Sequence, residues 1–150
     1  MPLRMLQIPP PSNLLITTGR VLLALYFLLP GILKFVAVPM NIGLMSAHGI
    51  PNPAPLLFVA GVAQVTGAVL LMTGRFVRFN ALGFVAYILV INVTLHDFWN
   101  FGGMVGAHEL QNFIKNLGIL AGLLVLAGLS PWRSPTVRGL LMSDARAFVV

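Results

Sequence analysis

Apolar residues run almost unbroken through four stretches of the chain, at about residues 14–38, 55–73, 79–98 and 112–129, with polar residues between them or at their ends. Neither the strict alternation of a half-buried strand nor the single stripe of a soluble amphipathic helix accounts for such runs. An apolar run of about 20 residues is what a helix needs to cross a hydrocarbon core roughly 30 Å thick. The pattern therefore predicts an all-α fold, an integral membrane antiparallel four-helix bundle forming one domain over residues 1–150. The fourth run is the shortest, and a polar start at Gln111–Asn116 extends it by a turn.

The first run follows a Pro9-Pro10-Pro11-Ser12-Asn13 lead, stiff and ending in residues suited to cap a helix. It carries Arg20 and Lys34, is interrupted by Pro30-Gly31 and has no Ala-x-Ala site after it, so it reads as a retained helix rather than a cleaved signal. Gly74-Arg75-Phe76-Val77-Arg78 is a tight turn, which makes the second and third helices antiparallel neighbours. The segment from His48 to Pro55, with prolines at 51, 53 and 55, is expected to be non-helical. The connection from Trp99 to Glu109, rich in Gly and aromatic residues, is expected to be a non-helical loop folded over the mouth of the bundle. Gly118-x-x-x-Gly122 and Ala63-x-x-x-Gly67 are small-residue spacings that let helices approach closely, within a bundle or between copies.

Composition agrees with a lipid solvent. Hydrophobic residues make up 58% of the chain and charged ones 8%, where a soluble domain carries about 25%. The net charge of +6 does not point to nucleic acid, since the cations are scattered among helix ends rather than gathered in a stripe on a soluble scaffold. Their distribution is a topology signal instead. Arg4, Arg20, Arg75, Arg78, Arg133, Arg138 and Arg146 fall at one end of an even-numbered bundle, while residues 39–54 and 99–114 hold no Lys or Arg. Both termini, with the tail at 130–150, are expected on the cytoplasmic side of a plasma membrane. Arg20, Arg75 and Arg78 are then cytoplasmic or lipid anchors.

The polar residues inside the apolar runs gather at the opposite, outer end. An ionisable group within a membrane span is by default a functional-site hypothesis. The candidate pocket comprises Lys34, Gln64, Asn92, His96, Asp97, Asn112, Lys115 and Asn116, with His108 and Glu109 at its rim. Asn92 and His96 lie four residues apart on one helix face, as do Asn112 and Asn116. Each residue also has a structural reading. Lys34 can snorkel to the surface, Gln64 and Asn92 can be interhelical hydrogen-bond glue, and Lys115 can pair with Glu109 or Asp97. Cysteine is absent, which removes disulfides, thiolate metal sites and dithiol chemistry. No two of His48, His96 and His108 are spaced as a ligand pair on one helix, and no metal site is expected.

These residues also carry a resemblance. Arg20, Pro30-Gly31-Ile32-Leu33-Lys34, Gly49-Ile50-Pro51, the run from Gly61 through Gln64 to Gly74, His96-Asp97-Phe98-Trp99 and Phe113-Ile114-Lys115-Asn116-Leu117 stand in the order and spacing of the DoxX family. The chain resembles these small bacterial and archaeal four-helix membrane proteins from about Leu15 to Ala127. One departure is Gln64, where relatives often carry Glu; an amide can hydrogen-bond but cannot titrate. The family is associated with thiosulfate:quinone oxidoreductase, terminal quinol oxidase and oxidative-stress complexes. The resemblance implies a plasma-membrane protein that is at most a component of an oxidoreductase system. Its outer pocket is expected to bind a quinone or a small anionic sulfur compound, with no covalent or metal cofactor. The alternative is a non-catalytic accessory subunit of a larger membrane complex. Expected partners are the lipid bilayer and either further copies of the chain or such a complex.

Overall fold

The computed structural model describes residues 13–133 and 136–144. The proline lead at residues 9–11, Arg4 and Arg146 lie outside them. Every regular element among the described residues is helical: α1 (Asn13–Val36), α2 (Val38–Ala47), α3 (Pro53–Met72), α4 (Val77–Thr94), a single 3₁₀ turn (Phe98–Asn100), α5 (Gly103–Leu129) and a short α6 (Val137–Leu140). Four helical stretches, Leu14–Val36, Pro53–Met72, Val77–Asn100 and Gly103–Leu129, are long and apolar enough to cross a membrane. Their outward faces are apolar too, as at Leu22, Phe58, Val90 and Val125. Hydrocarbon solvates such side chains as well as a protein core does, so these helices need no polar outer face.

Glycines set the closest approaches. A Cβ on Gly31 of α1 would stand 3.1 Å from a methyl of Val65 and 3.3 Å from its backbone nitrogen. A Cβ on Gly61 of α3 would overlap the Phe35 ring at 2.7 Å. These contacts lock α1 against α3 and bring Lys34 and Gln64 to the same crossing. Pro30 has no N–H for the Tyr26 carbonyl one turn back, yet α1 continues through it. The core then fills with Ala24, Phe27, Ala68, Leu71, Ala81, Phe84, Ile88, Leu123 and Ala127. Phe27 and Phe84 stack at its centre, with ring centroids 3.9 Å apart and planes 10° apart.

The α3–α4 turn is tight, as the sequence suggests. Gly74 takes φ +70°, its N–H bonds the Leu71 carbonyl at 3.1 Å, and the Arg75 N–H bonds Leu70 at 2.8 Å. Two such bonds around a left-handed glycine close a helix C-terminus. The segment after α5 folds back over this turn. Asp144 accepts the first free N–H of α4, from Val77, at 2.8 Å, and its own N–H donates to the Gly74 carbonyl at 2.7 Å. Arg133 completes the clasp by bonding Asp144 at 2.7 Å.

The other end differs from expectation. The connection predicted at residues 39–54 contains α2, which ends in the same glycine geometry. Gly49 takes φ +70°, with Gly49 N–H to Ser46 at 3.0 Å and Ile50 N–H to Met45 at 3.0 Å. Pro53-Ala54-Pro55, expected to be non-helical, forms the first turn of α3, where a proline's missing N–H costs nothing. The third helix ends at Thr94 rather than 98. The fourth begins at Gly103 rather than 112, so much of the expected Trp99–Glu109 loop is helical. Gly106 allows this, because its Cα lies directly against the Phe101 carbonyl and leaves no space for a Cβ. The 27 residues of α5 extend about 40 Å, roughly 10 Å more than a hydrocarbon core. Its polar residues, from His108 to Asn116, all lie in its first half.

Candidate functional site

Helix crossings at the Lys34 end enclose a cavity of about 430 Å³ between α1, α3, α4 and α5, with α2 against its side. Its walls are mainly apolar, from Phe27, Leu57, Ile88 and Ile91. The polar groups in them are Tyr26 and Lys34 of α1, Asn41 of α2, Gln64 of α3, Tyr87 of α4, His96 of the α4–α5 connection and Asn116 of α5. Gln64 is 4% exposed, and its side-chain oxygen accepts from the Tyr87 hydroxyl at 3.2 Å. Its amide NH₂ has no partner among the described residues.

A chain of hydrogen bonds forms a second wall. The Tyr26 hydroxyl donates to Asn116 Oδ1 at 2.8 Å, Asn116 Nδ2 donates to Asn92 Oδ1 at 2.7 Å, and Asn92 Nδ2 donates to the Phe113 carbonyl at 3.3 Å. Both asparagines are buried, Asn92 at 2% exposure. Every bond in this relay ties α5 to α1 or α4, as hydrocarbon requires of a polar group placed at that depth.

Two histidine–carboxylate pairs hold the mouth. His48, at the end of α2, meets Asp97 through Nδ1 and Oδ1 at 2.7 Å, and its ring lies 5.0 Å from that of Phe101. The other oxygen of Asp97 accepts from Asn100 Nδ2 at 2.7 Å. His96 Nδ1 meets Glu109 Oε2 at 2.7 Å, and His108 approaches Glu109 Oε1 at 3.7 Å. These pairs fasten α2 to the α4–α5 connection, and that connection to α5.

The chain holds three acidic side chains, and all are committed elsewhere: Asp97 to His48 and Asn100, Glu109 to His96, Asp144 to Arg133. Lys34, half-buried in the cavity wall, forms no ion pair or hydrogen bond among the described residues. A cation removed from water and left without a counter-ion favours any anion or strong acceptor that reaches it. The electrostatics of the cavity are those of one positive charge, an available amide donor and phenol hydroxyls within an apolar shell.

The sequence-predicted residues separate into groups. Lys34, Gln64, His96 and Asn116 line the cavity, and Asn92 supports Asn116 from behind. Asp97 and Glu109 close the mouth. Asn112 reaches His108 at 3.4 Å on the exposed edge. Lys115 is exposed, lines no part of the cavity and pairs with neither Glu109 nor Asp97. The helical step of about 100° per residue turns it outward when Asn116 faces in. Sequence reasoning missed Tyr26, Tyr87, Asn41 and His48. The tyrosines carried a usable signal, since both lie within apolar spans where a hydroxyl has to find a partner.

Arg20, at the opposite end, donates through one guanidinium nitrogen to the carbonyls of Leu71 and Met72, the latter at 2.7 Å. It thereby satisfies the Met72 carbonyl at the end of α3 and adds a second donor to that of Leu71, which already accepts from Gly74. Arg78 lies over the Trp132 ring at 5.6 Å. Arg75 is half-buried beside the same turn.

Comparison with known proteins gives two matches. A family model described as DoxX matches residues 15–97. The inner membrane protein YphA of Escherichia coli (strain K12) is 30% identical over 117 residues, which cover 78% of this chain and 84% of the relative. No solved structure gives a significant match.

Proposed function

The chain belongs to the DoxX family and is a multi-pass membrane protein, and from that premise we propose that its polar cavity binds a small ligand with an anionic or strongly accepting head. A quinone and a small anionic sulfur compound both have such chemistry. One observation carries the reading: Lys34 lines the cavity as a cation for which no carboxylate among the described residues is free. In this reading the Lys34 ammonium attracts the head, the Gln64 amide donates to it, and Tyr87 and Asn116 fix its plane. His96, held by Glu109, lines the cavity as a group that can hydrogen-bond the head and hand it a proton. Gln64 in place of a carboxylate keeps the cavity from neutralising its own lysine. The protein's residues supply binding and proton handling; electrons in any redox reaction pass between the ligand and a partner. The basic residues at the Arg20 end support an inner-membrane orientation with both termini cytoplasmic and the cavity outward.

The test is ligand binding to purified protein in lipid nanodiscs, with a short-chain quinone and thiosulfate as separate probes. Wild type is expected to bind one of them, and Lys34→Ala and Gln64→Leu are expected to lose most of that binding. Equal binding by wild type and both variants overturns the reading. An accessory role in a larger complex is favoured by one feature, the open space around Gly118 on the outer face of α5. Co-purification of a stoichiometric partner, lost in Gly118→Leu, would establish it.

A further inference from the structure

Beside the polar cavity runs a second and larger space, a groove of about 730 Å³ along the seam between α1 and α5. It follows α1 from Leu15 to Tyr26 and α5 from Ile119 to Leu129. Its walls are apolar apart from Arg20, whose head is drawn aside by the α3 carbonyls. Tyr26 belongs to both spaces: it lines the groove and the polar cavity, is 43% exposed, bonds Asn116 through its hydroxyl and sets its ring edge-on to that of the neighbouring Phe27.

We propose that this seam holds the hydrocarbon chain of a single-tailed amphiphile whose head occupies the polar cavity, and that Tyr26 is the gate through which the head passes from the lipid. The inference rests on the cavity reading above and names the class of ligand, a lipid-soluble one.

Packing separates this seam from the others. On the α1–α3 side the glycine positions are filled by Val65 and Phe35. On the α1–α5 side a Cβ at Gly122 would meet only Leu23, at 3.8 Å, and one at Gly19 would meet nothing within 4 Å. The small residues here leave space that neither helix fills. The eleven-residue step from Leu15 to Tyr26 makes the groove roughly 17 Å long, room for most of an extended acyl or short isoprenoid chain. A tail gains almost nothing by leaving lipid for an apolar groove, since both are equally apolar. The seam thus directs the tail, while the head supplies selectivity. A water-soluble anion would have no use for either groove or gate.

The experiment locates the tail. Full-length protein in nanodiscs is irradiated with two probes, palmitate carrying a terminal diazirine and a benzoquinone carrying a diazirine on a decyl chain. The labelled residues are mapped by mass spectrometry, with and without an excess of the unlabelled parent compound. Competable label on α1 and α5 near Leu22 and Val125, lost in Lys34→Ala, is the expected result, and the probe that gives it identifies the head as a carboxylate or a quinone. Competable label confined to the polar cavity, or spread evenly onto exposed Phe58 and Val90 of α3 and α4, overturns the tail path and leaves the cavity reading standing. Absence of competable label anywhere with either probe overturns the tail path, and thiosulfate binding to wild type and Lys34→Ala then decides the cavity reading separately. Tyr26→Phe removes one hydroxyl bond and keeps the ring, so ligand exchange should accelerate by about fivefold for a bond of ordinary net strength. An unchanged exchange rate in a variant that still binds overturns the gate.

Discussion

Asn116 donates its amide hydrogen to the Asn92 side-chain oxygen across 2.7 Å, joining α5 to α4 by a bond with almost no access to solvent. The same Asn116 receives the Tyr26 hydroxyl from α1, so one buried amide ties together three transmembrane helices.

Removing either amide leaves the other partly unpaired. Asn92→Ala and Asn116→Ala are each expected to destabilise the protein by about 1–3 kcal/mol, the usual cost of a buried polar group left unpaired. A double-mutant cycle should give a coupling of roughly 0.6–1.7 kcal/mol, from the average to the largest value found for interhelical bonds in a membrane protein. Denaturant unfolding in mixed micelles measures both. Additive single costs would show the bond to be energetically silent.

Close packing at the α1–α3 crossing makes Gly31 sensitive to size. Gly31→Ala puts a methyl 3.1 Å from Val65 Cγ2 and 3.3 Å from a backbone nitrogen that cannot turn aside. Overpacking of this kind costs about 1–3 kcal/mol. Gly43→Ala, which has open space around it, should cost far less. Parallel thermal unfolding of the two variants makes the comparison.

At the opposite end, Asp144→Ala removes the cap of α4 and the partner of Arg133 together. Loss of an N-cap costs about 1 kcal/mol. The expected signature is a modest fall in melting temperature with much faster protease cleavage between residues 130 and 144. Unchanged cleavage would mean that the clasp does not hold this segment.

Replacing His48 tests the mouth. His48→Ala leaves Asp97 with Asn100 alone among side chains, and frees the end of α2. Hydrogen exchange is expected to quicken over α2 and the 3₁₀ turn while α3 and the core of α4 stay protected. Uniform protection across all of these would show that α2 is held by other contacts.

Lysines provide an internal control. Lys34 lines the cavity and Lys115 faces away from it. Lys115→Ala should leave ligand binding intact while Lys34→Ala reduces it, measured with whichever probe wild type binds. Equal loss in both would point to surface charge in place of the cavity.

The four spans, the all-helical fold and the tight α3–α4 turn were legible because lipid imposes a simple rule on residue choice over some twenty positions. The boundaries at the Lys34 end were not, for local reasons. Prolines at 53 and 55 read as breakers unless the chain enters a helix at that point, where they fit. Gly103 and Gly106 read as loop residues, although the second is a packing glycine. Within the candidate site, four-residue spacing placed Asn92 and His96 on one helix face, but α4 ends at Thr94 and His96 lies beyond it, and such spacing carries no information across helices. Whether Asn92 would meet Asn116 or Lys115 depended on the rotation of α5, which its polar residues do not disclose because they fall on several faces. His48 was invisible for the same reason: nothing near it in the chain points to Asp97, forty-nine positions away.

The Asp144 clasp also bears on how the protein is made. Val77 and Asp144 lie 67 positions apart, and synthesis proceeds from the amino terminus. The α3–α4 hairpin is therefore made with the first turn of α4 uncapped, and stays so until Asp144 has been added. Closure of the clasp thus follows formation of the hairpin, and a chain cut before Asp144 would carry α4 with its first N–H unpaired by this carboxylate.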